Sequence, residues 1–420
     1  MLYNDCIVFG GWIVQSKINK FARLIVRAGL NVKKDQLVVI HTHIEAKDLT
    51  RAVVKEAYKV GAKDVLVRYR DEIIQHEQYK HAPIHIYEHE ALFYNETSQE
   101  GACYLSIVGS DPDLMKDVDA KRVAQSARML RQKTTFYRHQ LDTMQTQWCV
   151  VPAATEAWAK KVYPEDDRAL EKLWEDIFYV CRIDERDPLD NWKEHKKSFE
   201  KKLEILNSMQ IESLQYMNSL GTCLNVKLPL KYRFEGGDST LLDEAKTAYF
   251  ANIPTEEVFS APLKTGVNGR LVASMPLIHS GSRVEDFWFT FKDGKVIDYD
   301  ARVGKEVLAS ILESDEGASY LGEVALVGVG SPINQLNRVF YNTLIDENAS
   351  CHFALGKSYN ECIEDGLSME EDQLEQCGLN QSFVHVDFMV GTSDLSIVAN
   401  TYSNEQIPIF VHGKWTSLFD

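Results

Sequence analysis

The sequence predicts an α/β protein in three parts: an N-terminal layered α/β domain built on a parallel sheet, a helical connecting region, and a strand-rich α+β C-terminal domain. Three observations lead there. Over the first ~110 residues, short apolar runs alternate with a helical-period segment, the order expected of a parallel sheet covered by helices. Helical spacing then dominates from Asp117 to Met209. Beyond the polar break Phe234-Glu235-Gly236-Gly237-Asp238-Ser239 the pattern becomes that of strands. At 420 residues the chain exceeds one typical domain. The breaks divide it into an extension (1–17), an N-terminal α/β and helical domain (18–230) and a C-terminal domain (231–420).

Taken in order, the apolar run Ile7–Val14 lacks a basic flank before it and a small-residue cleavage site after it, and reads as an extension or a strand. Gln36–His41 suits a buried strand. Ile44–Val60 carries Leu49, Val53 and Ala57 at helical spacing and ends at Gly61, a C-cap residue. Val65–Val67 and Ala102–Val108 supply two more strands. No Gly-x-Gly-x-x-Gly follows any of them, so nucleotide binding has little support. Helices are expected over Asp117–Leu130, Ala154–Val162, Asp167–Val180 and Trp192–Met209, with Trp158, Trp174 and Trp192 as core or interface anchors. No repeat or low-complexity tract appears, and the domains are expected to pack closely.

Composition narrows the function classes. The chain is 45% hydrophobic and 26% charged, ordinary for a folded protein. No apolar run approaches the ~20 residues that span a bilayer, which argues against a membrane role. A net charge of −16 argues against a nucleic-acid partner. The eight cysteines have neither zinc-ribbon nor redox spacing and read as reduced thiols of a cytoplasmic protein. Between Lys357 and Lys414 there is no Lys or Arg, against ten Asp and Glu. That stretch reads as a solvated acidic loop around Glu361–Gln376, or as a negative field beside a site for cations.

Four segments could carry chemistry. In Val384-His385-Val386-Asp387-Phe388, a strand would point His385 and Asp387 to one face and the apolar residues to the other. Such a pair suits a metal, and equally a strand whose polar face meets water. In Gly322-Glu323-Val324-Ala325-Leu326-Val327, Glu323 opens an apolar strand and needs a partner, either a salt bridge or a metal. Ser314, in the acidic turn before it, could cap a short helix. Asp346–His352, continuing to Tyr359, crowds polar groups around one histidine; spacing alone does not fix which side chains share a face. In Asn252–Phe259, adjacent Glu256 and Glu257 precede an apolar pair, which surface acidity also explains. The histidines at 76, 81, 85 and 89, in a charged helical and loop stretch, read as a solvated surface, His279 as structural, and Glu285-Asp286-Phe287 as structural support near the site.

Taken together, Asn252–Phe259, Leu321–Val327, Phe340–Leu344, Asp346–His352, Ala354–Gly356 and His385–Gly391 resemble the signature segments of the thermophilic aminopeptidase T and aminopeptidase S family. Order and separations also match: 66 residues from Glu257 to Glu323 (323−257), 29 to His352 (352−323) and 33 to His385 (385−352). Ala28–Val32, Ile44–Ala46 and Trp158–Val162 extend the likeness over roughly residues 18 to 415. The resemblance implies metal ligands at Glu257, Glu323, His352, His385 and Asp387, a catalytic Tyr359, and a C-terminal metallopeptidase domain. Five side chains hold two divalent ions if one carboxylate bridges, a role assigned to Glu323; Zn, Co or Mn suits the N/O set. The implied reaction is hydrolysis at the free N-terminus of short peptides by a metal-activated water. The general base stays open between Glu347, which is favoured and could instead be a sixth ligand, and Glu256. The resemblance also implies a homodimer. A dipeptidase-like dinuclear amidohydrolase and a non-catalytic binding protein are the alternatives.

Overall fold

The computed structural model describes residues 11–83, 88–279 and 282–419. Of the opening run Ile7–Val14, residues 7–10 lie outside that set. From Gly11 the chain is helical, in α1 (Gly11–Leu24), so the described part of the run is helix and not strand.

The N-terminal half is built on strands β1 (Leu37–His43), β2 (Asp64–Arg70), β3 (Cys103–Val108) and β4 (Trp148–Pro152), all parallel, in the order β2-β1-β3-β4. Helix α2 (Lys47–Val60) covers them with Leu49, Val53 and Ala57 buried, and Gly61 ends it at φ 94°. Only Gly accepts that conformation without strain. Four further helices, α3 (Glu72–His81), α4 (Glu88–Gln99), α5 (Ala120–Lys133) and α6 (Thr135–Asp142), fill the β2–β3 and β3–β4 connections. The sequence reading gave α3 only as part of a charged helical and loop stretch, without bounds, and missed α4, α6 and β4. The weak amphipathicity of α3 and α4, and the polar run before β4, hid them.

Helices α7 (Glu156–Val162), α8 (Ala169–Val180) and α9 (Pro188–Ser208) follow. The last starts four residues before the expected Trp192 because Asp187 caps it, accepting from Leu189 N at 3.0 Å. Trp158 and Trp192 are fully buried and Trp174 packs partly buried against the same core.

The strand-rich region opens before the Phe234 break. Strands β5 (Ile211–Met217) and β6 (Cys223–Lys227) already belong to a nine-stranded antiparallel sheet. It is completed by β11 (Val267–Val272), β12 (Leu277–His279), β13 (Ser282–Lys292), β14 (Lys295–Val303), β18 (Ser396–Thr401), β19 (Gln406–Val411) and β20 (Lys414–Trp415). A second, five-stranded sheet holds β7 (Glu235–Gly236), β10 (Val258–Ser260), β15 (Leu321–Leu326), β16 (His352–Gly356) and β17 (His385–Met389), in the order β17-β16-β15-β10-β7. A short β8 (Ser239–Thr240) and β9 (Ala248–Tyr249) pair with each other.

The two larger sheets stack through one apolar layer. Val324, Phe353, Val386 and Phe388 meet Tyr216, Phe287 and Phe289, with ring centroids 5.1 Å apart for Tyr216–Phe353 and 5.3 Å for Phe289–Phe388. The period of two then forces Glu323, His352, His385 and Asp387 onto the opposite face. Among the described residues, no helix is long and apolar enough to cross a membrane.

Candidate metal centre

Register builds the site. Glu323 is opposite Ala354 on β16, and Ala354 is opposite Asp387 on β17. Two carboxylates therefore flank a methyl group, which leaves open space above it. A register shift between Leu321 and Glu323 marks a bulge at Gly322, and the carbonyls of Gly356 and Lys357 would stand 2.3 and 2.4 Å from any Cβ there. Only glycine lets the strands approach so closely and re-aim Glu323. Glu257 comes from the residue before β10.

These side chains converge. His352 Nε2 lies 2.9 Å from Glu257 Oε2 and 3.7 Å from Glu323 Oε1. His385 Nε2 lies 3.1 Å from Glu323 Oε2 and 3.2 Å from Asp387 Oδ1. Each ring turns Nδ1 to a backbone carbonyl, Ser350 at 3.2 Å and Lys357 at 2.7 Å, so Nε2 is directed into the cluster. Glu257–Glu323–His352 and Glu323–His385–Asp387 form two groups that share Glu323.

The donor set fits divalent ions. Two ligand atoms each ~2.1 Å from one tetrahedral ion stand roughly 3.4 Å apart, close to the separations here. The charge balance asks for cations as well, because Glu257, Glu323, Glu347 and Asp387 share a largely buried site with two imidazoles. Burial pushes the Glu323 carboxyl up, but hydrogen bonds from His352 and His385 outweigh it and hold it at about 2. Burial, followed by the Asp387 and Glu257 carboxylates, drives Glu347 well above the usual range. Tyr359 is raised in the same way, by burial and then Glu323.

The supporting loops tie the two halves together. Asn348 accepts from Glu256 N at 2.6 Å and donates to Leu344 O at 2.9 Å, fixing the Glu347 turn beside the Glu257 strand. Asp346 accepts from Phe340 N at 2.8 Å and Asn342 N at 3.1 Å, and burial raises its carboxyl to about 7. The Trp158 indole donates to Phe340 O at 2.6 Å, anchoring this loop to the N-terminal half.

Glu257, Glu323, Glu347, His352, Tyr359, His385 and Asp387 share the wall of one cavity of about 320 Å³. Tyr359 stacks obliquely on His385 at 4.7 Å. Glu256 is placed elsewhere: its Oε1 lies 2.7 Å from Arg182 Nη1, and it does not line the cavity. Sequence reasoning missed Glu361 and Glu235, both on the cavity wall. The Glu361–Gln376 stretch divides between its two readings: Glu364, Asp365, Glu370, Glu371, Asp372 and Glu375 are exposed. Glu361 instead faces the cavity, and burial, reinforced by Glu235, pushes it up to about 8. The buried Cys362-Ile363 pair after it was the available signal.

Other expectations resolve locally. Ser314 caps nothing; its hydroxyl donates back to Ser310 O at 2.9 Å, and Asp315 accepts from Ala318 N at 3.0 Å instead. Glu285 and Asp286 pair with Arg302 at 2.6 and 2.5 Å and do not line the cavity. His81 and His89 are exposed, and His76 is half-buried against Asp117 at 2.8 Å; His85 lies outside the described residues. Burial lowers His279 to about 4.

Fold and site define a metal-dependent hydrolase with an acidic cavity. Residues 14–415 match the model of the peptidase family described as thermophilic metalloprotease (M29). The chain is 40% identical to aminopeptidase AmpS of Bacillus subtilis (strain 168), over 95% of this chain and 98% of that protein. It is 35% identical to aminopeptidase T of Thermus aquaticus, over 95% and 98% respectively. The solved structure of wild-type AmpT from Thermus thermophilus superposes with a TM-score of 0.86 at 32% identity, covering 96% of this chain and 99% of that one. The chain belongs to the M29 family of metallopeptidases.

Proposed function

We propose that this metallo-aminopeptidase works through two divalent ions, one held by Glu257, Glu323 and His352 and the other by Glu323, His385 and Asp387. The observation that carries the reading is the division of the Glu323 carboxylate, one oxygen facing each imidazole. Zn, Co or Mn suits the nitrogen and oxygen donors. When bound, such a pair supplies an acidified water and a Lewis acid for the scissile carbonyl.

The chain's own groups do the remaining work. Glu347, the cavity carboxyl outside both ligand groups and closest to them in charge coupling, takes the proton from the attacking water and passes it to the leaving amine. Tyr359 donates a hydrogen bond to the oxyanion. The acidic wall, with Glu235 and Glu361, favours a substrate α-ammonium, and apolar Met144, Trp148, Leu241 and Phe259 receive side chains. A cavity of this size takes the N-terminal end of a peptide, and short peptides are the substrates of this reading. A cytoplasmic homodimer completes the reading; the seven described cysteines are free thiols, as a reducing compartment requires.

Chelation should abolish cleavage of leucine p-nitroanilide, and add-back of Zn, Co or Mn should restore it, with N-acetylated substrate inert throughout. Cleavage of the N-acetylated substrate, or full activity after chelation, would contradict the reading. A panel of dipeptides against longer peptides separates it from a dipeptidase.

A further inference from the structure

A second cavity of about 660 Å³, sharing no lining residue with the first, lies between α5–α6 and the segments around Gly317 and Gln381. Arg131 and Arg138 stand on its wall, and neither guanidinium makes an ion pair with a described residue. Arg138 Nε and Gln381 Nε2 are buried without a hydrogen-bond acceptor. Burial, and then the neighbouring Arg138, lowers the Arg131 guanidinium from its ordinary range. Four acids share that wall, Asp142, Asp315, Glu316 and Glu371, and Asp142 and Asp315 act on Arg131 through space. Lys357 takes Asp142, and Asp315 accepts from Ser382 Oγ at 2.9 Å and Phe383 N at 2.7 Å. Glu316 and Glu371 are exposed.

A guanidinium cannot shed its proton near neutrality and offers donors only. Arg138 Nε and Gln381 Nε2, buried on one cavity wall without an acceptor, therefore call for one, and the guanidinium favours an acceptor that carries negative charge. From this we infer that the cavity binds a carboxylate, the planar group that matches a guanidinium fork. Lys357 links it to the metal cluster: its ammonium holds Asp142 on α6, and its carbonyl accepts from His385 Nδ1 at 2.7 Å. Arg131 also lies within electrostatic reach of Tyr359. Two sources supply such a group: the C-terminus of a short peptide substrate, which rests on the aminopeptidase reading, or a free polycarboxylate.

The test compares kcat/KM for Leu-Gly-Gly and its C-terminal amide in the wild type, Arg138→Gln and Arg138→Lys, alongside thermal-shift titrations with tricarballylate. A substrate carboxylate predicts an about tenfold preference for the free acid that falls toward unity in Arg138→Gln. A free carboxylate predicts equal turnover of acid and amide, with a tricarballylate-dependent rise in Tm that Arg138→Gln loses. Arg138→Lys, which keeps the charge but not the fork, should retain part of either effect and serves if the glutamine variant does not fold. Absence of both the preference and an Arg138-dependent shift overturns the inference. If the wild type cleaved neither peptide, the aminopeptidase reading would fail, and the titration would still decide the carboxylate site.

Discussion

At the scale of single residues, the account turns on what Glu347 and Tyr359 do once the ligands are in place. Glu347→Gln keeps shape and removes the proton acceptor, so kcat should fall by roughly 10²–10⁴ with metal content unchanged. An unchanged kcat removes Glu347 from proton transfer. Tyr359→Phe should lower kcat by ~10²–10³, the usual cost of losing an oxyanion donor, again with metal retained. Single residues were also where the sequence spoke least plainly. Glu323 announced that it needed a partner, because it opens an apolar strand, but nothing in its neighbours distinguished a salt bridge from a metal. Its partners sit 29 and 62 residues away (352−323 and 385−323), so only folding brings them close. Glu361 was hidden by the exposed acids that follow it. Arg182, which pairs with Glu256 outside the cavity, lies two residues past the end of α8, and no local pattern connects the two.

Individual elements were more legible. The alternation in Val384–Phe388 placed His385 and Asp387 on one face of β17, and the structure has Val386 and Phe388 in the core behind them. The strands β1, β2 and β3 and helix α2 were found from apolar runs and a terminal glycine. What escaped was pairing: β7 is two residues long, and β10 is three, too short to show a period. The site depends on how β15 and β16 meet. Gly322→Ala would push a methyl into two backbone carbonyls, and should cost about 1–3 kcal/mol while displacing Glu323. Ala354→Leu tests the same surface from above. It would fill the space between Glu323 and Asp387, so metal content and activity should fall together. Retention of full metal content in Ala354→Leu would mean that the ions do not sit above that row.

For the whole molecule, the two halves are joined at the site, where Trp158 holds the Phe340 loop and Asn348 ties it to Glu256. Stability should depend on pH through the N-terminal half. His41 on β1 is buried with both ring nitrogens unpartnered, and burial, aided by Arg70 and Arg68, lowers it from 6.5 to about 3. Its folded value lies below its unfolded one, so folding favours the neutral ring. That stability is complete above pH 6.5 and is lost as pH falls toward about 3. By pH 5 the loss from this group is about 2 kcal/mol. Tm measured from pH 7 to 5 should fall more steeply in the wild type than in His41→Gln; parallel curves would contradict the assignment. Sedimentation at micromolar concentration should find a dimer.

The shared Glu323 is the centre of the account, and metal content per chain tests it most directly. Purified wild type should hold two ions, His385→Ala one, and Glu323→Ala fewer than one, with leucine-peptide hydrolysis lost in both variants. A Glu323→Ala protein that kept two ions and full activity would contradict it.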